Sequence, residues 1–168
     1  VLNIFKIKKT IMVKTSTDVL TIGAGPVGLF SVFELGQLGI KSCVIDSLDI
    51  VGGQCSSLYP EKPIYDIPAF AEISAQQLIE NIMDQIKPFN PKLILGERVE
   101  QIKEEVEGFL VSTSRNKEIS CKCILIAAGN GAFGPNKPPI LNIEEYENKS
   151  IFYNIINKSI FKKKKVAI

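Results

Sequence analysis

The sequence predicts an α/β fold built on a parallel sheet, and three stretches carry that expectation. An apolar strand at Asp18 to Ile22 runs straight into the turn GAGPVG; a second apolar strand, KSCVID, occupies residues 41–46; and a long apolar strand, EISCKCILIAAG, ends on Gly129. Between the first two strands PVGLFSVFELGQLG reads as a helix, opened by Pro26 near its first turn and closed by Gly39. A strand, helix, strand unit needs a crossover, which lays its two strands parallel.

The other elements follow in order. The helix after the first strand is apolar nearly all round, which predicts burial on every side. Residues 47–72 are rich in Gly, Pro, Ser and Tyr without a period, and read as a long loop kept for a purpose. SAQQLIENIMDQIKPF returns to helix, with Ser74 and Gln77 as a capping box, a stripe of Leu78, Ile79, Ile82, Met83 and Ile86 facing the sheet, and Pro88 beyond its end. KLILGE is a strand, and RVEQIKEEV with FLVSTS forms a small antiparallel ribbon around Glu107 and Gly108. From Asn130 the text becomes a Gly- and Pro-rich connector and a turn-rich surface segment, and FKKKKVAI reads as the first half of a further strand.

Composition bounds the chemistry. The chain has 168 residues, 45% hydrophobic and 23% charged, which is ordinary for an α/β domain with a real core. The net charge of +2 is unevenly placed, with lysines gathered at both ends, yet no aromatic residues alternate with them, which argues against nucleic acid as a partner. No apolar run approaches the ~20 residues of a membrane helix, and the first residues lack a secretory apolar region. Residues 1–16 read as a basic extension without order, with Met12 as an alternative start to Val1. Cys43, Cys55, Cys121 and Cys123 are read as reduced thiols of a cytoplasmic protein, because Cys121 and Cys123 share one strand face and pair poorly with each other. With no histidine in the chain, histidine acid/base catalysis, Ser-His-Asp triads and histidine metal sites are excluded. No catalytic side chain and no metal ligand is assigned; a bound cofactor is expected to carry the chemistry.

Gly23, Gly25 and Gly28 satisfy G-x-G-x-x-G directly after a strand and at the opening of a helix, the context in which each glycine has a task. The first permits the tight turn, the second lets backbone approach a pyrophosphate, and the third lets helix and strand pack closely. Asp46, at the end of the next strand, stands close to the ~20 residues after the glycines at which a carboxylate accepts from ribose hydroxyls. A dinucleotide is therefore the expected ligand, and this motif leaves FAD and NAD open. The next loop, GGQC followed by SSLYP, lets backbone approach a planar ligand and offers Gln54 and Tyr59 to it; a glycine turn beside a surface tyrosine is the plainer reading.

GAGPVGLF, GGQC with LYPEKPIYDIP, the helix ending in KPFNP, and ILIAAGNGAFGP followed by KPP together resemble the ferredoxin–NADP reductases of the thioredoxin-reductase-like type, from about Thr17 to Ile168. The resemblance implies a Rossmann-like FAD-binding domain at residues 17–135, and at 136–168 a connector with the first strand of an incomplete second domain for NADPH. It implies FAD held by Gly23, Gly25 and Gly28 at the pyrophosphate, Asp46 at the ribose, Gln54 and Tyr59 at the flavin, Val99 at the adenine through its backbone, and Phe133 closing on the cofactor. It further implies electron transfer between NADPH and ferredoxin or a similar small redox protein, by a homodimer when full length. Cys55 has no near cysteine partner and Cys121-Lys-Cys123 is not C-x-x-C, which sets the chain apart from flavin disulfide reductases. A truncated, non-catalytic FAD-binding chain, a thioredoxin-reductase-like flavoprotein with another acceptor, and a plain NAD-binding domain are the competing readings.

Overall fold

The computed structural model describes residues 14–132, 134, 137–153 and 158–167. The elements are β1 (Lys14–Ile22), α1 (Pro26–Gln37), β2 (Ser42–Ile45), α2 (Gln54–Ser57), β3 (Pro63–Ile64), β4 (Ile73–Ser74), α3 (Ala75–Ile86), β5 (Lys92–Ile94), β6 (Val99–Glu105), β7 (Gly108–Thr113) and β8 (Glu118–Ile126). Six strands form one sheet in the order β5-β2-β1-β8-β7-β6, with β5, β2, β1 and β8 parallel and β7 and β6 antiparallel to their neighbours. The α/β class and the parallel sheet are as expected. The ribbon is not separate from it: β8 pairs with β1 on one edge and with β7 on the other, so one strand joins the two halves.

Strand pleat divides the core. Val44 points to one face, where it meets Ala24, Leu29 and Val32 of the first crossover and Leu78, Ile79, Ile82 and Ile86 of α3. Its neighbours Cys43 and Ile45 point to the other face, with Leu20, Ile94, Val111, Ile119 and Cys121. The stripe expected on α3 is the one buried, with Met83 at its margin, and those four full burials contribute about 2 kcal/mol each. It packs against α1 as well as the sheet.

Several expectations change in detail. β1 begins at Lys14, four residues before the expected Asp18, because pairing with β8 continues from Lys14↔Glu118. Residues 1–13 of the expected extension lie outside the described residues. α1 is not buried all round: Gly28, Leu29 and Val32 are buried, whereas Val27, Phe30 and Leu38 are exposed, since α3 and the sheet cover only one side of it. The capping box is half made. Ser74 Oγ accepts from the Gln77 N–H at 3.1 Å, but the Gln77 side chain donates forward to Asn81 Oδ1 at 3.3 Å instead of returning to the cap. The long loop carries structure of its own, α2 and the β3–β4 pair. Residues 165–167 form no strand, because no described strand lies beside them to supply the ladder that a strand requires. Among the described residues no helix is long and apolar enough to cross a membrane.

Candidate functional site: the cleft at the carboxyl ends of the parallel strands

Four isoleucines end the four parallel strands at one level: Ile22 is in register with Ile45 and with Ile126, and Ile45 with Ile94. The chain leaves each of them into a loop, and the loops are stitched to one another above the sheet. Gly23 N–H donates to Ile45 C=O at 2.8 Å, Ala127 N–H to Ile22 C=O at 2.8 Å, Asp46 N–H to Ile94 C=O at 2.9 Å and Glu97 N–H to Asp46 C=O at 3.0 Å. Between the loops lies a cleft of about 480 Å³, floored by Ile22 and Ile45. It sits above the carboxyl end of β1, between its sheet neighbours β2 and β8, which is where open α/β sheets offer a crevice to ligands.

The glycines hold this geometry by close approach. Gly23 has φ +109, and a Cβ there would meet Ala127 O at 2.2 Å; a Cβ on Gly28 would meet Gly23 O at 1.8 Å. Gly28 therefore lies behind the turn and lets α1 come down on it, while a Cβ on Gly25 would meet nothing within 4 Å and would project into open space. Gly25 is also the N-cap of α1, with no side-chain cap bond and no acidic residue in the first turn. The first-turn N–H groups of a helix have no intrahelical acceptors, so this end presents free donors and the positive end of the helix dipole to the cleft.

Asp46 ties the walls together. Its Oδ2 accepts from Ala24 N–H in the glycine turn at 2.6 Å and its Oδ1 from Leu48 N–H at 2.9 Å. Oδ1 also takes a long bond from Ser47 Oγ at 3.5 Å, whereas Oδ2 keeps a further lone pair, so the clamp leaves capacity for a hydroxyl donor. The GGQC loop closes from above: Gly52 N–H donates to Ala24 C=O at 2.7 Å, and a Cβ on Gly53 would come within 3.2 Å of Gly25 Cα. Gln54 opens α2, and its amide nitrogen lies 3.8 Å from where a Cβ on Gly129 would stand, so its side chain reaches across to the loop after β8.

Gly23, Gly25, Asp46, Gln54 and Val99 thus line one cleft. Tyr59 does not: it borders an adjoining depression of about 380 Å³ that shares Gln54 and Cys55 with the cleft, and its ring carries Lys62 Nζ at 5.3 Å from the centroid. Phe133 lies outside the described residues. The thiols are all free; burial pushes Cys43 up to about 11 and pushes Cys55 upward, which keeps both protonated and unreactive at neutral pH.

Two features escaped the sequence reading. The turn after β8, with Gly129, Gly131 and Gly134, repeats the spacing of the first glycine turn, and its residues 127–132 line the opposite wall; no α-helix follows it among the described residues, so it adds backbone without an α-helix dipole. Glu97 is the other. It is 1% exposed, and its carboxylate accepts from Thr113 Oγ1 at 2.9 Å and pairs with Lys117 Nζ. Burial pushes this carboxyl up, but the Lys117 and Thr113 hydrogen bonds and the Lys117 and Arg115 charges outweigh it and hold it below the ordinary range. A glutamate within a strand-like text gives no sign of burial; only its partner's position, known once the β7–β8 hairpin is folded, reveals it.

No family model matches the chain. Whole proteins do: it is 56% identical over 151 residues to the ferredoxin–NADP reductase of Anaplasma phagocytophilum, 53% over 157 to that of Ehrlichia ruminantium and 55% over 153 to that of Rickettsia bellii. The chain is similar to part of a ferredoxin–NADP reductase. These alignments take in 90%, 94% and 91% of this chain but 45%, 47% and 46% of the reductases, so it spans about half the length of the curated relatives it matches. Among solved structures, the thioredoxin reductases of T. acidophilum and Streptococcus pyogenes superpose with TM-scores of 0.61 and 0.60 at 20% identity, over 80% and 81% of this chain and 41% and 42% of theirs. At that identity the likeness is one of fold, and it is the fold expected from the glycine turn and the parallel sheet.

Proposed function

We propose that the chain is the FAD-holding part of a ferredoxin–NADP reductase. The observation that carries the reading is the single cleft lined by Gly23, Gly25, Asp46, Gln54 and Val99 at the carboxyl ends of the strands. It is long enough to run from the α1 N-terminus to the β5–β6 connection, and it is walled by backbone wherever a phosphate must approach. The identity of 52–56% to proteins named ferredoxin–NADP reductase supports the same reading.

In this reading the Gly23 turn and the first-turn amides of α1 hold the pyrophosphate, with Gly28 keeping the helix close. Asp46 accepts from the ribose while its bond to Ala24 fixes the turn. Arg98 exchanges both of its backbone hydrogen bonds with Ser114, directly or through the serine hydroxyl, which by ladder alternation turns the Val99 N–H and C=O away from β7 and toward an adenine edge. Gln54 and, from the adjoining depression, Tyr59 meet the flavin, and Phe133 closes on the cofactor. FAD when bound would supply the redox chemistry, two-electron exchange with NADPH and one-electron exchange with a small redox protein. The chain's own residues bind, orient and exclude water, and none acts as acid, base or metal ligand. NADPH and a ferredoxin-like protein are the partners of the whole enzyme, which we take to be a cytoplasmic homodimer, with residues 17–135 as the FAD domain and 136–168 leading into the NADPH domain.

Titration of the purified chain with FAD, followed by flavin fluorescence and by the visible flavin bands, tests the reading. Saturable binding is expected. Binding of NAD with none of FAD would sink it.

A further inference from the structure

We propose that Glu97 is a positioning residue for the adenosine end of the cleft, held in place by Lys117 and Thr113 at the tip of the β7–β8 hairpin; the proposal rests on the FAD reading above. Stability alone does not account for the arrangement. A carboxylate buried as Glu97 is recovers little net stability from its partly exposed cation, because its desolvation offsets the attraction. What such a pair does give is a fixed geometry, so the question is which geometry Glu97 fixes.

Residues 95–98 connect β5 to β6, and Glu97, Arg98 and Val99 form the outer wall of the cleft. Its inner side is tied by Gly96 N–H to Leu48 C=O at 2.7 Å and by Glu97 N–H to Asp46 C=O at 3.0 Å. On its outer side, Ser114 N–H donates to Arg98 C=O at 2.8 Å and Arg98 N–H donates to Ser114 Oγ at 3.1 Å. The β6–β7 ladder then breaks register between Val99 and Gln101, and β6 is the edge of the sheet. Strand pairing is therefore irregular at the point where Val99 must present its backbone, and a slip of one residue would exchange which backbone groups face the cleft. The Glu97 side chain resists that slip. It leaves the wall for the interior, where Thr113 Oγ1 and Lys117 Nζ take one carboxylate oxygen each, while Thr113 Oγ1 also accepts from Lys117 N–H at 3.2 Å. The hairpin tip is thus locked to the wall through the Glu97 carboxylate.

The test compares ligands that do and do not carry adenosine. Kd values for FAD, ADP and FMN are measured on the chain and on Glu97→Gln, Lys117→Met and the double variant, by flavin fluorescence and by displacement of FAD with ADP, with the melting temperature of each ligand-free protein recorded alongside. Each single change is expected to weaken FAD and ADP about tenfold and to leave FMN within about twofold, and the double variant is expected to be no weaker than the weaker single, because both changes break one device. Equal weakening of FMN, or additive losses in the double variant, would overturn the proposal. Lys117→Met leaves the buried Glu97 carboxylate without its cation, so where it folds poorly the near-isosteric Glu97→Gln keeps the test alive. Failure of the unaltered chain to bind FAD overturns the FAD reading and this one together, whereas FAD binding that is indifferent to both substitutions overturns this one alone.

Discussion

The two walls of the cleft are built on different terms. The inner wall, residues 23–28 facing 127–132, is backbone against backbone, with three glycines placed where a single Cβ would collide or intrude. The outer wall, residues 97–99, is held by side chains that arrive from a hairpin tip 16 to 20 residues on, Thr113 and Lys117 on Glu97 and Ser114 on Arg98. The first is fixed by what Gly23 and Gly28 lack and has no room for a Cβ at either. The second is fixed by charge and hydrogen bonding, and so depends on pH and on the register of a hairpin.

The sharpest way to break the inner wall is Gly28→Ala. With a Cβ 1.8 Å from Gly23 O, the helix must retreat from the turn, and we expect a loss of about 3 kcal/mol in urea unfolding together with loss of FAD binding. A variant with the midpoint and the Kd of the parent would show that this wall is more yielding than its contacts imply. Next comes Asp46→Asn, which exchanges a charged acceptor of the Ala24 N–H for a neutral one; FAD affinity should fall about tenfold, read by fluorescence titration, with a smaller effect on stability.

The contrast between the walls also explains what could be read from the text. The glycine turn, the parallel pairing of the first two strands and Asp46 were legible because their signals are local: glycines at fixed spacing, an apolar run, an acid at a strand end. The α3 stripe was legible for the same reason. Glu97 was not, since its burial follows from pairing Thr113 with Val99 and bringing Lys117 beneath it, a matter of long-range register. The exposed side of α1 misled in the opposite direction: composition makes Val27, Phe30 and Leu38 look buried, yet burial depends on what stands opposite, and α3 covers only one flank.

The outer wall offers the third prediction. Because the folded-state carboxyl of Glu97 is held below its ordinary value of 4.5, it contributes stability that is complete above that value and is lost as pH falls through the lowered one. Acid unfolding, followed by circular dichroism, should therefore be shallower in Glu97→Gln than in the parent below about pH 4.5, and parallel curves would remove the pair from the account. The smallest effect belongs to the uncovered flank of α1: Leu38→Lys, at a side chain 75% exposed, should change the unfolding midpoint by no more than about 0.5 kcal/mol, and a large loss would mean that this flank is covered after all.

The four isoleucines that end β1, β2, β5 and β8 at one level have a consequence for how this molecule can change. Because every loop of the cleft starts from the same height, lengthening one of them alters that loop's own reach and leaves its neighbours standing. One residue added inside a strand would instead invert the strand's faces and shift its loop against all the others. Insertions should therefore be absorbed within residues 49–50, between the ties at Leu48 and Gly52, and rejected within 19–22 or 42–45, so that part of the ligand's surroundings is open to variation while the platform beneath it is not.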